Sequence, residues 1–440
     1  MRGASGRGCR PSTSDDVSLS TDIGSPEFRD PAALAVETER VYDLCAGCRR
    51  CYNLCPSFTV LLDTIDEQHD GDAAALTPAE DRQVVDLCFG CNLCYPHCPY
   101  TPPHRWQLDF PRLMQRAKVT RASRDGIALR DRLLGNPELL GRLGSAFPGL
   151  ANRANRNPLW RWACEKTLGI DRRRRLPRYA PRFSRWFRRQ RPPAGVGRRG
   201  KVALFYTTPV EFNAPETGRA AVEVLWRSGL EVICPEQVCC GMPALDGGDV
   251  AGATRRARRN LASLGGAVAA GYDVVVPGPS CSRAIKQEYP LLVPGEETAR
   301  VVSRVHDLGE YLMKLHAGGA LDQNFRRGIG RVAYHAPCHL RVQEVGFKAR
   351  DLLRLVPGTT VEVLERCTGM DGTWGFKHEF YETSMKIAQP LLHDLDQLRP
   401  DVIVSDCPLA ALQIEQARGQ RVYHPVEALA AAYADRTLAP

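Results

Sequence analysis

Two runs of cysteine constrain this 440-residue chain more than anything else in it: CAGCRRCYNLCP at 45–56 and CFGCNLCYPHCP at 88–99. Both read C-x2-C-x2-C-x3-C-P. Three thiols at intervals of three let a tight loop wrap one face of an iron–sulfur cubane, with the intervening amides pointing at its sulfurs. The fourth cysteine has left that wrap, and the proline after it bends the chain away. It is therefore placed to reach the other cluster. On this spacing Cys45, Cys48, Cys51 and Cys98 hold one [4Fe–4S] cluster, and Cys88, Cys91, Cys94 and Cys55 hold a second. Two structural zinc ions would also use eight thiolates. Zinc quartets, however, come as paired C-x2-C knuckles rather than three cysteines in register and a fourth before proline.

The run is that of the bacterial ferredoxins. Here the two copies are further apart than in a small two-cluster ferredoxin, and helical patterns lie between and before them. AALAVETERVYDL (32–44) leads into the first run. TPAEDRQVVDL (77–87), opened by the capping-box pair Thr77 and Glu80, leads into the second. Residues 31–118 thus read as an α-helical ferredoxin domain. Residues 1–30, polar and rich in Gly, Ser and Asp, read as a disordered tail in which Cys9 is incidental. Residues 119–200 read as a basic connector.

The remainder alternates short β-branched runs with stretches of helical length: KVALFY, EVICP and YDVVVPG, then RVAYHAP, TVEVLE, DVIVSDC and RVYHP. Strands separated this way imply parallel α/β units. They also repeat. After a strand ending at Thr208, Cys239-Cys240-Gly241 follows 31 residues on, and Cys281 lies 42 beyond Cys239. After a strand ending near Cys338, Cys367-Thr368-Gly369 follows 29 on, and Cys407 lies 40 beyond Cys367. The same order of strand, cysteine and helix occurring twice indicates a duplication, with copies at 201–325 and 326–440.

CCGMPALDGGD (239–249), YHAPCHL (334–340), CTGMDGTWGFKHEFYETS (367–384) and PYTPPHRWQLDFPRLM (99–114) resemble the CCG-domain iron–sulfur proteins related to heterodisulfide reductase. Within that family it resembles the C-subunit type of anaerobic glycerol-3-phosphate dehydrogenase. The resemblance covers about residues 40–440 and implies an α-helical ferredoxin domain followed by two α/β CCG domains with short parallel sheets. It also implies further iron–sulfur chemistry in the CCG repeats, where the fuller pattern offers five cysteines. This chain departs from that pattern. Thr208, Thr368, Ala284 and Ala410 stand where cysteines are expected, leaving Cys239, Cys240 and Cys281 in one repeat and Cys338, Cys367 and Cys407 in the other. If the repeats pack around a pseudo-twofold axis, all six converge on one metal or redox site, a candidate third cluster. His335 and His339 flank Cys338 as candidate ligands or proton carriers, although a lone histidine is more often a satisfied polar group. Gly372 and Gly375 would allow close backbone approach to that site. Cys164 and Cys234 read as small packed residues.

The net charge of +9 is local. Residues 151–200 hold 15 Arg and one Lys against Glu165 and Asp171, so the rest of the chain is slightly acidic. In RRRRLPRYAPRFSRWFRRQRPP (172–193), a helix would align Tyr179, Phe183, Trp186 and Phe187 on one face. Such a stretch suits a membrane interface or an acidic partner, or else a solvated linker that packs its aromatics on its own domain. No nucleic-acid recognition fold accompanies it. No leader pattern or spanning-length apolar run is present, so the expected location is the cytoplasm, peripheral to the inner face of the membrane.

The expected function is electron transfer. A partner, a flavoprotein dehydrogenase, would reduce one N-terminal cluster, and electrons would pass through the second to the C-terminal cysteines and on to quinone or a redox protein. No G-x-G-x-x-G follows a strand, so a flavin or nicotinamide would belong to another protein of the complex. The alternative is a disulfide or sulfur-substrate reductase acting at the C-terminal cysteines, and the missing thiols count against it.

Overall fold

The computed structural model describes residues 23–438. Helix Pro31–Cys48 starts at Asp30, whose carboxylate accepts the amides of Ala32 and Ala33, and continues through Cys45 and Cys48. It stops at Arg49, which takes a left-handed φ of 55°. Helix Pro56–Gln68 begins directly after Cys55, with Pro56 in the first turn, where a missing N–H costs nothing. Helix Pro78–Leu87 carries the Thr77–Glu80 capping box and delivers Cys88. The caps therefore decide where the cysteines leave the helices. Helix Phe110–Asp125 closes the domain around a core of Val41, Tyr42, Phe58, Leu61, Ile65 and Leu113, with Phe58 stacked on Phe110 at 4.2 Å.

Residues 23–30 do not belong to a disordered tail. Ile23 and Phe28 are buried in the core of the first α/β unit, and the Arg116 guanidinium donates to the Phe28 and Glu27 carbonyls at 3.1 and 2.7 Å. Two buried apolar side chains outweigh the polar composition around them. The rest of the expected tail, Cys9 included, lies outside the described residues.

Two parallel four-stranded sheets follow. The first contains β1 (Lys201–Leu204), β2 (Glu231–Ile233), β3 (Asp273–Val276) and β4 (Val305–Asp307) in the order β2-β1-β3-β4. The second contains β5 (Gly330–His335), β6 (Thr359–Leu364), β7 (Val402–Ser405) and β8 (Val422–Tyr423) in the order β6-β5-β7-β8. The orders are the same, as a duplication requires. β4 was not apparent in the sequence, because three residues, VHD, carry no alternation of their own. The repeat held the clue, since RVHDLGEYL parallels RVYHPVEAL.

The units face each other reciprocally. Helix Pro215–Arg227, after β1, packs on helix Pro425–Tyr433, after β8; helix Leu308–Ala317, after β4, packs on Lys348–Arg354, after β5. Such reciprocity is the mark of a pseudo-twofold interface. In each unit the strand order reverses between the first and third strands. The crevice at their C-terminal ends is where open α/β sheets bind ligands, and every cysteine of the two CCG motifs lies on a loop or helix start at that edge.

The connector is a strap rather than an amphipathic helix. Only Phe183–Phe187 is helical between Leu168 and β1, and Phe183 is fully buried against Tyr206. Trp186 and Phe187 pack on the same core, and Tyr179 lies against Gly144. Arg174 is buried against Ser384 and Gln413, while Arg173 pairs with Asp171 and Glu382 above the Tyr381 ring. The aromatics expected to enter a membrane are thus consumed inside the protein.

The exposed apolar surface lies earlier. Helix Pro137–Gly144 turns its glycines inward: a Cβ on Gly141 would fall 2.3 Å from Phe212, and one on Gly144 would fall 2.5 Å from Tyr179. Its leucines are left outside. Leu143 (65% exposed), Phe147 (72%), Leu150 (70%) and Leu159 (77%) continue onto Trp160 and Trp162. Arg142, Arg153 and Arg156 stand exposed among them. Among the described residues no helix is long and apolar enough to cross a membrane.

Candidate metal centres

The eight N-terminal cysteines are free thiols gathered into two groups. Burial raises the Cys45 thiol, and the neighbours that raise it further are Cys51, Cys98 and Cys48. Burial, then Cys98 and Cys48, pushes Cys51 up to about 11. Cys98 thus stands with the first run. Burial, then Cys88, pushes Cys55 up to about 12, and Cys55 is the first neighbour felt by Cys91. Cys94 feels Cys91, Cys88 and Cys55 in turn. Cys55 thus stands with the second run. Each fourth cysteine lies beside the other run's three.

The donor chemistry fits iron–sulfur clusters. Thiols crowded into a low-dielectric interior stay protonated, and a cationic metal core stabilises them as thiolates, with release of their protons. The backbone is already arranged for that charge. Cys55 receives the amides of Phe58 and Ser57, Cys88 that of Gly90, Cys91 that of Leu93, and Cys98 those of Tyr100 and Thr101. Lys118 Nζ donates to the Cys88 carbonyl at 2.6 Å, adding positive charge beside the second group.

The six C-terminal cysteines fall into two groups rather than one. Cys239, Cys240 and Cys281 form a hydrogen-bonded set, with the Thr208 hydroxyl also bonded to Cys239. Cys338, Cys367 and Cys407 gather in the second repeat, and Cys338 feels Asp371, Cys91, Cys407 and Cys367. The second set adjoins the ferredoxin domain, where both Cys55 and Cys91 feel Cys367. Trp374 fastens this contact. Its indole N–H donates to the Asp86 carbonyl at 2.9 Å, and its ring lies 5.1 Å from that of Phe89.

Neither histidine has a free nitrogen. His335 bonds Ser405 Oγ through Nδ1 (3.0 Å) and the Arg366 carbonyl through Nε2 (3.1 Å). His339 bonds Ser280 Oγ through Nδ1 (2.8 Å) and the Gly90 carbonyl through Nε2 (3.1 Å). A carbonyl accepts only, so each Nε2 carries the proton and each Nδ1 accepts from a hydroxyl. Burial holds both imidazoles neutral, at about 4. As bonded here they act as struts, and His339 ties both repeats to the ferredoxin domain. Gly372, with φ of 44°, passes close to Asp246, and a Cβ on Gly375 would fall 2.4 Å from Met370 Sδ. Cys234 packs at the edge of the core, and Cys164 is partly buried in the connector.

Sequence reasoning missed two acids. Asp371 Oδ2 lies 3.8 Å from Cys338 Sγ. Glu138 Oε2 accepts the Cys239 amide at 3.1 Å, tying the exposed leucine helix to the first cysteine set. The only clue to Asp371 was its place four residues after Cys367; Glu138 is 101 residues from its partner, and no local pattern marks it.

Comparison with known proteins agrees with this architecture. Residues 38–124 match the Fer4-like domain of citrate utilization protein B, and residues 202–286 and 332–415 match the CCG cysteine-rich domain. The C subunit of the anaerobic glycerol-3-phosphate dehydrogenase of Escherichia coli is 31% identical over 312 residues, covering 70% of this chain and 78% of the relative. The B subunit of the CoM/CoB fumarate reductase of Methanothermobacter marburgensis is 28% identical over 247 residues, 53% of this chain and 47% of that relative. Lactate utilization protein A of Bacillus pumilus is 31% identical over 187 residues, 40% of this chain and 75% of the relative. With a helical cluster-binding domain, two CCG units and this similarity along most of its length, the chain belongs to the CCG-domain iron–sulfur family that includes the C subunit of anaerobic glycerol-3-phosphate dehydrogenase.

Proposed function

We propose that the chain is the electron-carrying component of a multi-protein dehydrogenase or reductase, taking electrons from a flavoprotein partner and delivering them to quinone at the inner face of the membrane. The observation that supports this reading is that Cys98 stands among the neighbours of Cys45, and Cys55 beside Cys88, which we read as an exchange of fourth ligands. Two clusters held by exchanged ligands must be neighbours. Bound there, each supplies a one-electron carrier. The chain's own residues bind and orient: Cys45, Cys48, Cys51 and Cys98 hold one, Cys88, Cys91, Cys94 and Cys55 the other, and the surrounding amides moderate the charge. Cys367 beside the second group gives the route its direction, from the Cys45 side towards the second repeat. The GVGRRG stretch at 195–200 precedes β1 rather than following a strand, so it forms no dinucleotide turn, and the flavin is assigned to the partner.

The leucine-rich surface at 139–162 is the side offered to the membrane. Exposed Leu, Phe and Trp with interspersed arginines suit the boundary between acyl chains and anionic headgroups. The test is anaerobic mixing of dithionite-reduced protein with anionic vesicles containing a menaquinone-type quinone. We expect co-sedimentation with the vesicles and rapid return of the clusters' visible absorbance. The triple variant Leu143→Asp, Phe147→Asp and Leu150→Asp should keep its clusters, lose sedimentation and reoxidise at least tenfold more slowly. Vesicle-independent reoxidation at an unchanged rate would contradict the membrane assignment. Failure to reoxidise under any condition would contradict the quinone.

A further inference from the structure

Helix Val250–Ala269 of the first repeat carries RRARR at 255–259. Arg255, Arg256 and Arg259 stand at i, i+1 and i+4 and so share one side of it. They line a cavity of about 360 Å³ that helix Pro137–Gly144 closes with Glu138, Leu139 and Arg142. Four guanidiniums therefore face one carboxylate. Glu138 is already engaged, to Arg142 through one oxygen and to the Cys239 amide through the other. Among the described residues, the side chains of Arg255, Arg256 and Arg259 have no ion-pair or hydrogen-bond partner. Like charges at i and i+4 repel, as Arg255 and Arg259 do here. A merely solvated arginine face would stand clear of other elements. This one is roofed by a second helix, and Arg256 is half-buried beneath it. The charge gathered in the hollow calls for an anion.

The rim of the hollow identifies the anion. Leu139 is 44% exposed at its edge, and one turn further along the same helix Leu143 opens the Leu, Phe and Trp surface. A positive hollow and an apolar ledge thus meet on one helix. Resting on the membrane reading of that surface, we propose that the hollow is a binding site for the headgroup of an anionic phospholipid. The phosphate sits among Arg255, Arg256 and Arg259, and the acyl chains lie over Leu139 and Leu143. Guanidinium N–H pairs match the spacing of phosphate oxygens, and the bonds are charge-assisted. The cavity is of the size that holds small ligands. A free phosphate would use the arginines and leave the leucines bare. An acidic protein segment would bring carboxylates to the arginines and no acyl chain to the ledge. A headgroup with its chains satisfies both halves, and it fixes the orientation of the chain on the membrane where apolar insertion alone would not.

The experiment is flotation of the anaerobically purified full chain with neutral phosphatidylcholine vesicles and with vesicles that also contain phosphatidylglycerol. Wild type should bind the mixed vesicles more tightly. Arg256→Gln should weaken that binding about fivefold, and Arg256→Gln with Arg259→Gln at least about tenfold, on the usual contribution of an arginine at an anionic surface. Arg258→Gln, on the same helix but off the cavity, should leave it nearly unchanged. Equal losses from Arg256→Gln and Arg258→Gln would mean a diffuse surface field and would overturn the site. Calorimetric titration with monomeric dihexanoyl phosphatidylglycerol should show tighter binding than titration with inorganic phosphate; equal affinities would overturn the lipid. If Arg256→Gln with Arg259→Gln keeps the preference for mixed vesicles but no longer accepts electrons from the partner, the arginines face an acidic protein and the assignment falls. Wild type that binds neutral and mixed vesicles alike contradicts the headgroup site alone. Undiminished vesicle binding by the triple variant Leu143→Asp, Phe147→Asp and Leu150→Asp contradicts the membrane reading beneath it.

Discussion

Removing iron from the anaerobic protein with a chelator is expected to unfold residues 31–118 while the two α/β units stay folded. The ferredoxin domain's core is small, and Cys45, Cys51, Cys55, Cys88, Cys94 and Cys98 pack directly against it. The helix ends that present them are held apart by loops, so the metal cores bridge what the apolar side chains do not. Without metal, crowded thiols stay protonated and leave those loops without their cross-links. The sheets have cores of their own, with β3 and β7 almost wholly buried. The cost to the N-terminal domain should be on the order of 10 kcal/mol, as in other domains folded around metal. Hydrogen exchange read by mass spectrometry should show loss of protection in helices Pro31–Cys48 and Pro56–Gln68 and retention in β1, β3, β5 and β7. Uniform protection after iron loss would contradict the role given to the clusters.

The second large effect concerns one thiol. Replacing Cys98 by Ala should abolish the cluster of Cys45, Cys48 and Cys51, although 43 residues of sequence separate Cys98 from Cys55, the fourth cysteine of their own run. Iron content should fall by about four per chain, and one of the two EPR signals should vanish. Cys55→Ala should remove the other signal. Cys164→Ala, in the connector, should remove neither. If Cys98→Ala destroys only the cluster of Cys88, Cys91 and Cys94, each run ligates its own cluster and the exchange is wrong.

Much of this architecture was legible in residue spacing. The cysteine runs, the Thr77–Glu80 cap and the seven strand segments are local patterns, and local patterns survive folding. The duplication was legible because order and spacing recur even where thiols have been lost. Long-range charge and polarity were not. Phe183, Trp186 and Phe187 form the same stripe whether they enter a lipid surface or their own core, and only the position of Tyr206 and its neighbours decides. The outward leucines of helix Pro137–Gly144 were overlooked for the converse reason. An inward face made of Gly141 and Gly144 has no hydrophobic signature, so the helix reads as if its leucines faced the core. The sequence left the histidines beside Cys338 open between ligands and satisfied polar groups, and Ser280, Gly90, Ser405 and the Arg366 carbonyl, from distant parts of the chain, fill their nitrogens.

An EPR-monitored potentiometric titration of the anaerobically purified chain tests the two-cluster relay most directly. The account predicts two reducible [4Fe–4S] signals within the physiological range of potentials, broadened by magnetic interaction once both are reduced, because neighbouring paramagnets couple. Two signals that never interact, or a protein that binds zinc and takes up no electrons, would contradict it.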